Sequence, residues 1–205
     1  VNAYPYYTIE RNPTPDVTLL APTAGQIRGN LTTINSNNIQ IGVIPRRIYI
    51  YVRQANNAQT ITSTDTYAYI QSISINFNNR SGLLSGASPE QLYRMSVKNG
   101  CTLSWTQWSR NVGSVLCIDL LSDLSLSEAE AVGLLGSYQL NYKVDVQSLA
   151  STNKVSTLYT TIVSPGVFTI QNQFAQSMIG IITQKDILQA PEIRSIDFSS
   201  VYDVE

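Results

Sequence analysis

Few residues in this 205-residue chain have side chains suited to catalysis or metal binding. Histidine is absent, which excludes Ser-His-Asp and Cys-His triads and removes the usual ligands of zinc and non-haem iron. Cys101 and Cys117 are the only cysteines, and their spacing matches no metal motif. We interpret them as free thiols, one at a strand start and one in a buried strand, although an oxidising compartment would permit a disulfide. We expect no metal and no cofactor.

The acidic residues that could cooperate are Asp119, Asp123, Glu128 and Glu130. Their spacing differs from that of known calcium-binding loops, so a solvated acidic face is the favoured interpretation. An enzyme without histidine would need a pair of carboxylates, and nothing in the sequence places Asp119 and Asp123 in a cleft. We therefore predict that the chain is not an enzyme and has no catalytic residue.

Trp105 and Trp108 lie three residues apart in the segment 101–113. Two large aromatic side chains at this spacing can fill the end of a β-sandwich. The alternatives are a platform on which sugars stack and a contact point for a neighbouring subunit. Both tryptophans are therefore candidate interface residues, with a core role as the competing interpretation.

A predicted strand at 46–54 has two chemically different faces, because successive side chains of a strand point to opposite sides. One face is apolar. The other is rich in tyrosine and arginine, which are enriched where proteins meet. The four residues of this second face are Arg47, Tyr49, Tyr51 and Arg53. We predict that they contact another protein; the alternative is that the chain's own ends, 1–22 or 185–205, cover them.

The composition indicates a globular and weakly charged protein. Hydrophobic residues make up 43% and charged residues 13%, with a net charge of −1. Ordinary soluble domains have about 25% charged residues. The sequence has no basic stripe that would neutralise phosphates, so we predict no direct nucleic-acid binding. No segment approaches the ~20 apolar residues of a membrane span. A neutral polar surface suits a protein packed among copies of itself.

The elements that position the candidate residues are predicted to be mostly strands, roughly eight or nine of them by their two-residue period. The pattern predicts strands at 26–34 and 38–43, joined by a hairpin turn at Asn35-Ser36-Asn37. It also predicts a central strand at 115–121 and a last strand at 178–183. Strands at 155–163 and 167–170 are predicted to be separated by a turn at Pro165-Gly166.

One helix is predicted at 89–98. Ser88 and Gln91 have the spacing of a capping box, and Pro89 occupies the first helical position, where its missing N–H costs nothing. Lys98-Asn99-Gly100 is typical of a helix end. Ser127 and Glu130 repeat the capping spacing, but nearby glycines would allow only one or two turns of helix there.

The sequence shows no βαβ alternation and no internal repeat, so we predict one all-β domain over 1–205. Its fold class is an antiparallel jelly-roll β-sandwich with one short helix in an inter-strand connection. Residues 1–22 are predicted to form an extended lead-in, and residues 185–205 a C-terminal arm.

Five segments in order resemble one family. They are 44–54 (IPRRIYIYVRQ), 75–93 (INFNNRSGLLSGASPEQLY), 96–100 (SVKNG) with Trp105, 113–119 (GSVLCID) and 136–140 (GSYQL). Together they resemble the second, C-terminal jelly roll of the double-jelly-roll major capsid proteins found in virophages, polinton-like viruses and nucleocytoplasmic large DNA viruses. The resemblance covers about 44–146, and its motifs are architectural.

The resemblance implies a structural virion protein that is assembled in the host cell into an icosahedral capsid. In this family three subunits form a pseudo-hexagonal capsomer. The implied partners are other jelly rolls of the same homotrimer, neighbouring capsomers, and minor capsid or penton proteins. Because the chain has one jelly roll and starts at Val1, the resemblance implies either a longer polypeptide with a first jelly roll upstream or a chain that is a processed piece of one. The alternative function is a carbohydrate-binding or adhesin-type β-sandwich that uses Trp105 and Trp108.

Overall fold

Two antiparallel sheets pack face to face in the computed structural model, which describes residues 2–61, 66–124, 131–171 and 174–180. The strands of sheet A are β1 (Asn2–Pro13), β2 (Val17–Leu19), β5 (Arg47–Gln54), β8 (Val115–Asp119), β10 (Lys154–Gln171) and β11 (Phe174–Ile179). The strands of sheet B are β3 (Thr32–Asn35), β4 (Ile39–Val43), β6 (Tyr69–Phe77), β7 (Arg80–Leu83) and β9 (Leu135–Gln147). The two-sheet sandwich confirms the predicted fold class.

The strand order is that of a jelly roll. Sheet A has the order β1-β10-β5-β8, with β2 and β11 also paired to β10. Sheet B has the order β3-β9-β6-β7, with β4 also paired to β9. The chain alternates between the sheets, and its first strand lies beside a late one. Sequence neighbours are therefore often spatially distant, which is the mark of Greek-key connections.

The core forms where the apolar faces of the two sheets meet. On β5 the side chains of Ile48, Ile50 and Val52 are buried, as the two-residue period predicts. On sheet B, Ile73 and Ile75 of β6 face them in the same hydrophobic cluster. Burial of such side chains contributes about 1.5–3 kcal/mol each, so this layer is the main source of stability.

One polar bond crosses the core. The hydroxyl groups of Tyr142 on β9 and Thr160 on β10 share a hydrogen bond of 2.6 Å, and both residues are buried. Burial raises the pKa of Tyr142, because the charged phenolate would be desolvated. A buried polar pair in an apolar layer is tolerated only when each group finds a partner, so this bond fixes the alignment of the two sheets.

The predicted hairpin at Asn35-Ser36-Asn37 is wrong. Strands β3 and β4 both pair with β9, at Lys143–Val146 and at Leu135–Leu140, so the chain continues in one direction through this segment. Ser36 keeps the ladder intact: its N–H donates to the Tyr142 carbonyl at 2.8 Å, and its Oγ accepts from the Tyr142 N–H at 2.8 Å. A local side-chain bond thus replaces one backbone pair without reversing the chain.

The predicted turn at Pro165-Gly166 is also wrong, because β10 runs through it without interruption. On one side the whole of β1 pairs with residues 159–170 of β10. On the other side β5 pairs with β10 up to Val163, which lies opposite Arg47. From Gly166 onward the partner is β11, whose last residue, Ile179, lies opposite Gly166. Pro165 lies in this gap between partner strands, where a missing N–H does little harm. A Cβ on Gly166 would lie 2.7 Å from the Tyr6 ring, so the close approach requires glycine.

Two further strand predictions need correction. The strand predicted at 26–34 is limited to β3, because Gln26 lies in a turn closed onto the Thr23 carbonyl. The strand predicted as central at 115–121 is β8, which ends the strand path of sheet A. Its continuous apolar run is explained by cover from α1 (Pro89–Lys98) and not by strands on both sides.

The helix α1 has the predicted cap. Ser88 Oγ accepts from the Gln91 N–H at 3.3 Å, and Gln91 Oε1 accepts from the Ser88 N–H at 2.8 Å.

A second capping box, which the sequence analysis missed, joins Ser104 to Gln107 at the start of a π-helical turn, Gln107–Asn111. Its signal is the Ser-x-x-Gln spacing. A short helix α2 (Leu120–Asp123), begun by Asp119, was also not predicted.

Some predictions fall outside the described residues. These are the cap at Ser127 and Glu130, the arm at 185–205 and the end of the strand at 178–183, of which β11 covers the first part. Within the described part of the chain, no helix combines the length and hydropathy that crossing a membrane requires.

We predict that Ser88→Ala lowers the free energy of unfolding by about 1 kcal/mol, because the Gln91 N–H loses its acceptor. Thermal or urea unfolding of the full chain measures the effect. Ser151→Ala, at an exposed bend, is the matched control and should leave stability unchanged. Equal stability of both variants would show that the capping bond contributes nothing.

Candidate interaction surface

The outward face of β5 lies in the middle of sheet A. Arg47, Tyr49, Tyr51 and Arg53 are all partly exposed and alternate with the buried residues of β5. The structure therefore brings all four onto one face, as the strand period predicts. Strands β10 and β8 flank β5 on its two sides, so this face belongs to a broad surface rather than to a sheet edge.

A cluster of aromatic rings and guanidinium groups occupies one end of this face. The Tyr51 ring stacks on the Tyr159 ring with centroids 5.5 Å apart, and the Tyr67 ring meets Tyr51 edge-on at 5.6 Å. The guanidinium groups of Arg11 and Arg53 both lie over Tyr159, at 5.8 Å and 5.9 Å from its centroid. Two cations therefore lie near one ring, whose electron-rich face attracts positive charge.

The surface extends across β10 onto β1. Register places Ile9 beside Val163 and Val163 beside Arg47, so all three share the outward face. Ile9 is 70% exposed and Tyr7 is 52% exposed. The Arg46 guanidinium lies over the Tyr7 ring and donates a hydrogen bond to the Tyr7 hydroxyl. We call the whole area the outer A face, comprising Tyr7, Ile9, Arg11, Arg46, Arg47, Tyr49, Tyr51, Arg53, Tyr159 and Val163.

The arginines of the outer A face form no ion pair within 4 Å among the described residues, although Asp119 lies opposite Arg47 in the pairing of β5 with β8. The one ion pair within 4 Å in the described part of the chain joins Lys98 to Asp123, away from this face. The buried Nε atoms of Arg47 and Arg53 have no hydrogen-bond acceptor. Hydrogen bonding to Tyr49 raises the pKa of Arg47, so its positive charge is secure. This face therefore presents cations and aromatic rings whose hydrogen-bonding capacity is partly unused.

Trp108 is a core residue, which removes it from the predicted interface. Its side chain has 0% exposure, and its ring contacts those of Tyr69, Tyr93 and Trp105. Trp105 is partly buried, stacks on Trp108 at 5.7 Å, and keeps some exposed surface. Only Trp105 remains a candidate for contact with a partner.

Trp108 also helps to close the free edge of β8. Its Nε1 donates to the Val115 carbonyl at 3.3 Å. The Cys117 N–H donates to Ser96 Oγ at 3.2 Å, and the Cys117 carbonyl accepts from Asn99 Nδ2 at 3.0 Å. The Asp119 N–H donates to Asp123 Oδ2 at 2.9 Å. Side chains of the helical segments therefore satisfy four backbone groups that would otherwise invite another strand.

Asp119 and Asp123, the predicted acidic candidates that the structure describes, have structural roles. Asp119 accepts from the N–H groups of Leu121 and Ser122 and caps α2. Asp123 binds Lys98, Asn99 and the backbone of Asp119, so its carboxylate is fully engaged. Among the residues that the structure describes, no three acidic or cysteine side chains are grouped as metal ligands would be.

The two cysteines are free, as predicted. Cys117 is buried on β8, and burial raises the pKa of its thiol. Cys101 lies after α1 in an irregular segment, so its predicted place at a strand start is wrong. A protonated buried thiol is a poor nucleophile, which is consistent with a packing role.

The outward face of sheet B differs from the outer A face. The Asp145 carboxylate on β9 accepts from Thr33 Oγ1 and from Ser72 Oγ, each at 2.6 Å. Asn76 donates to Asn141 at 2.8 Å. These hydrogen bonds lower the pKa of Asp145, because they stabilise its charged form. The polar groups of this face are thus paired with one another.

Comparison with known proteins identifies the family. A family model described as the major capsid protein V20 C-terminal domain matches residues 16–112 and 110–166. The chain belongs to this family. The putative capsid protein V20 of Sputnik virophage is 28% identical over 225 aligned positions, which cover 97% of this chain and 36% of V20. The chain thus spans about a third of the length of this curated relative.

Solved structures from Sputnik virophage and mavirus share the fold of this chain. A chain in the 3.5 Å cryo-EM structure of the Sputnik virophage has a TM-score of 0.83 and 26% identity, covering 97% of this chain and 43% of that one. The crystal structure of the mavirus major capsid protein has a TM-score of 0.77 over 92% of this chain and 43% of that one. Its identity of 16% supports the shared fold alone.

We predict that Asn99→Ala lowers the free energy of unfolding by about 1–3 kcal/mol, because the Cys117 carbonyl and the Asp123 carboxylate lose a buried donor. Urea denaturation monitored by tryptophan fluorescence measures the change. Asn57→Ala, in an exposed turn, is the matched control. A midpoint for Asn99→Ala equal to that of the control would contradict the role of Asn99 in closing the β8 edge.

A second prediction concerns acid unfolding. Because the folded-state pKa of Asp145 is lowered, its stabilising contribution is present above the unfolded pKa of about 4 and is lost as pH falls through the folded value. We expect Asp145→Asn to lose stability at pH 7 and to show a shallower decline of stability below about pH 4 than the unmodified protein. Urea denaturation between acidic and neutral pH tests this, and parallel pH profiles would contradict it.

Proposed function

We propose that this chain is the C-terminal jelly roll of a virophage-type major capsid protein, with a structural and non-enzymatic role in the virion shell. The observation that carries the proposal is the family match over most of the chain, together with a fold that aligns along 97% of it with a Sputnik virophage chain. The larger size of those relatives supports a second jelly roll in the same polypeptide. Three such polypeptides would form a trimeric, pseudo-hexagonal capsomer.

The outer A face is the proposed contact with another jelly roll. Its apolar and aromatic residues include Ile9 and Val163, which are paired across β1 and β10, and Tyr49, which is paired with Thr161 two residues further along the same face. Arginines flank these residues and form no ion pair within 4 Å in the part of the chain that the structure describes. Interfaces combine such apolar centres with tyrosine and arginine, because these side chains join a large contact area with directional hydrogen bonds. Neighbouring capsomers and minor capsid or penton proteins are further proposed partners.

The alternative of a carbohydrate-binding module receives less support. Sugar stacking requires exposed aromatic faces, and Trp108 is fully buried beneath Trp105 and Tyr93. Trp105 alone offers part of one indole face. The tryptophan pair is better explained by the closing of the β8 edge described above.

We predict that Ile9→Ser combined with Tyr49→Ala weakens trimer formation by the full capsid polypeptide at least tenfold. The reason is that the two changes remove exposed apolar area without touching the buried core. Analytical ultracentrifugation measures the trimer population, and thermal unfolding of the single chain checks that the fold is intact. Tyr51→Ala is a less clean variant, because Tyr51 stacks on Tyr159 within the chain.

Ile61→Ser is the matched control, because Ile61 is fully exposed and lies in a polar loop outside the outer A face. It should leave trimer formation unchanged. Normal trimers from the Ile9→Ser, Tyr49→Ala variant would place the subunit contact elsewhere. If the variant chain is less stable but still forms trimers, Ile9 and Tyr49 stabilise the fold and do not form the subunit contact.

A further inference from the structure

Arg28 is held in one position although no described acidic group lies within ion-pair distance of it. Its guanidinium carbon lies 3.6 Å from the centroid of the Tyr69 ring, which is direct contact, and its Nη2 donates to the Ser109 carbonyl at 3.2 Å. No carboxylate lies within 4 Å of Arg28 in the described part of the chain. A guanidinium that lies flat on a ring keeps its remaining N–H donors at its edge, where a planar or tetrahedral anion can meet them.

The loop that carries Arg28 is fixed to the sandwich. The Gly29 N–H donates to the Ser148 carbonyl at 2.8 Å, and Gln147 Nε2 donates to the Gly29 carbonyl at 3.0 Å. A Cβ at Gly29 would lie 2.0 Å from the Leu20 carbonyl oxygen, so only glycine permits this approach. The position of Arg28 is therefore set before any ligand arrives, which reduces the entropic cost of binding.

A second arginine lines the same pocket. Arg110, at the end of the π-helical turn, and Arg28 border a cavity of about 420 Å³ together with Gln26, Ile27 and Gln147. Arg110 is exposed and makes no ion pair within the described residues. Two guanidinium groups at one cavity repel each other unless an anion lies between them.

Unsatisfied polar atoms belong to Arg28, which lines the cavity, and to Ser109, whose carbonyl Arg28 contacts. The Nε atom of Arg28 is buried without an acceptor, and so is the hydroxyl of Ser109, a residue with 1% exposure. Arg28 and Ser109 contact each other through the Arg28 Nη2 bond, so two of the few unpaired buried polar atoms lie in one place. Buried polar groups normally have partners, so the unpaired Nε of Arg28, a residue of the cavity wall, favours a ligand that the described residues do not supply.

We propose that Arg28 and Arg110 form a binding site for an oxyanion, either a free phosphate-type ion or a side-chain carboxylate from a second copy of the chain. Both ligands present oxygen atoms at the spacing that a guanidinium fork matches with two parallel hydrogen bonds. Gln26 and Gln147 offer side-chain amides at the rim.

Isothermal titration of the full chain with inorganic phosphate, at constant ionic strength, tests the site. We expect binding that weakens at least tenfold in Arg110→Ala, because loss of a charge-assisted pair of hydrogen bonds is worth about that factor. Arg110→Lys, which keeps the charge but lacks the fork, should bind with intermediate affinity. Arg94→Ala, at an exposed arginine of α1, is the matched control and should bind normally. Arg110 is the preferred target, because loss of Arg28 would uncover Tyr69.

Sedimentation of the same variants separates the two sources of oxyanion. Self-association that phosphate suppresses and Arg110→Ala abolishes would identify a carboxylate of a second copy as the native ligand. Phosphate binding without any effect on association would identify a free ion. The proposal is overturned if Arg110→Ala binds phosphate as the unmodified chain does, if Arg94→Ala loses binding equally, or if the unmodified chain shows neither binding nor phosphate-sensitive association. These readouts do not depend on capsid assembly.

Discussion

The free backbone groups at the end of sheet A are the constraint on which much of this structure depends. Among the strands that the structure describes, β8 pairs with β5 alone, so alternate N–H and C=O groups point away from the sheet. Ser96, Asn99, Trp108 and Asp123 satisfy four of them. The segments before and after β8 contain α1, the π-helical turn and α2. These helical segments place the four side chains at intervals along the edge of β8. The edge is thereby closed to other strands.

Two long strands that follow each other in sequence organise the sheets. Strand β9 pairs with β3, β4 and β6 in sheet B, whereas β10 pairs with β1, β2, β5 and β11 in sheet A. Because β9 and β10 belong to different sheets, the bond between Tyr142 and Thr160 joins the centres of both. The early strands can take their places only after these late strands are present, which implies folding through contacts between distant parts of the chain.

Sequence reasoning succeeded where the deciding interactions are local. The capping box of α1 lies within four residues, and the alternation of β5 depends only on the strand period and on burial. It failed at Asn35-Ser36-Asn37 and at Pro165-Gly166, where turn-forming residues lie in continuous strands. There the pairing with β9 and β10 outweighs local preference, and a single sequence does not show which partners a strand will have. The outer A face was predicted on β5 alone, because its extension to Tyr7 and Ile9 depends on register.

The outward faces of sheets A and B differ in the number of new hydrogen bonds that a partner could form with them. On sheet B the polar side chains bind one another, as Asp145 does with Thr33 and Ser72, so a partner would have to replace bonds that already exist. On the outer A face the guanidinium groups of Arg47 and Arg53 lie among tyrosines, each with an unused Nε donor and, among the described residues, with no carboxylate within 4 Å. Internal bonds such as those of Arg46 to Tyr7 and of Arg53 to Asn56 use only part of the donor capacity of this face. A partner with acceptors and apolar area therefore gains most by binding sheet A.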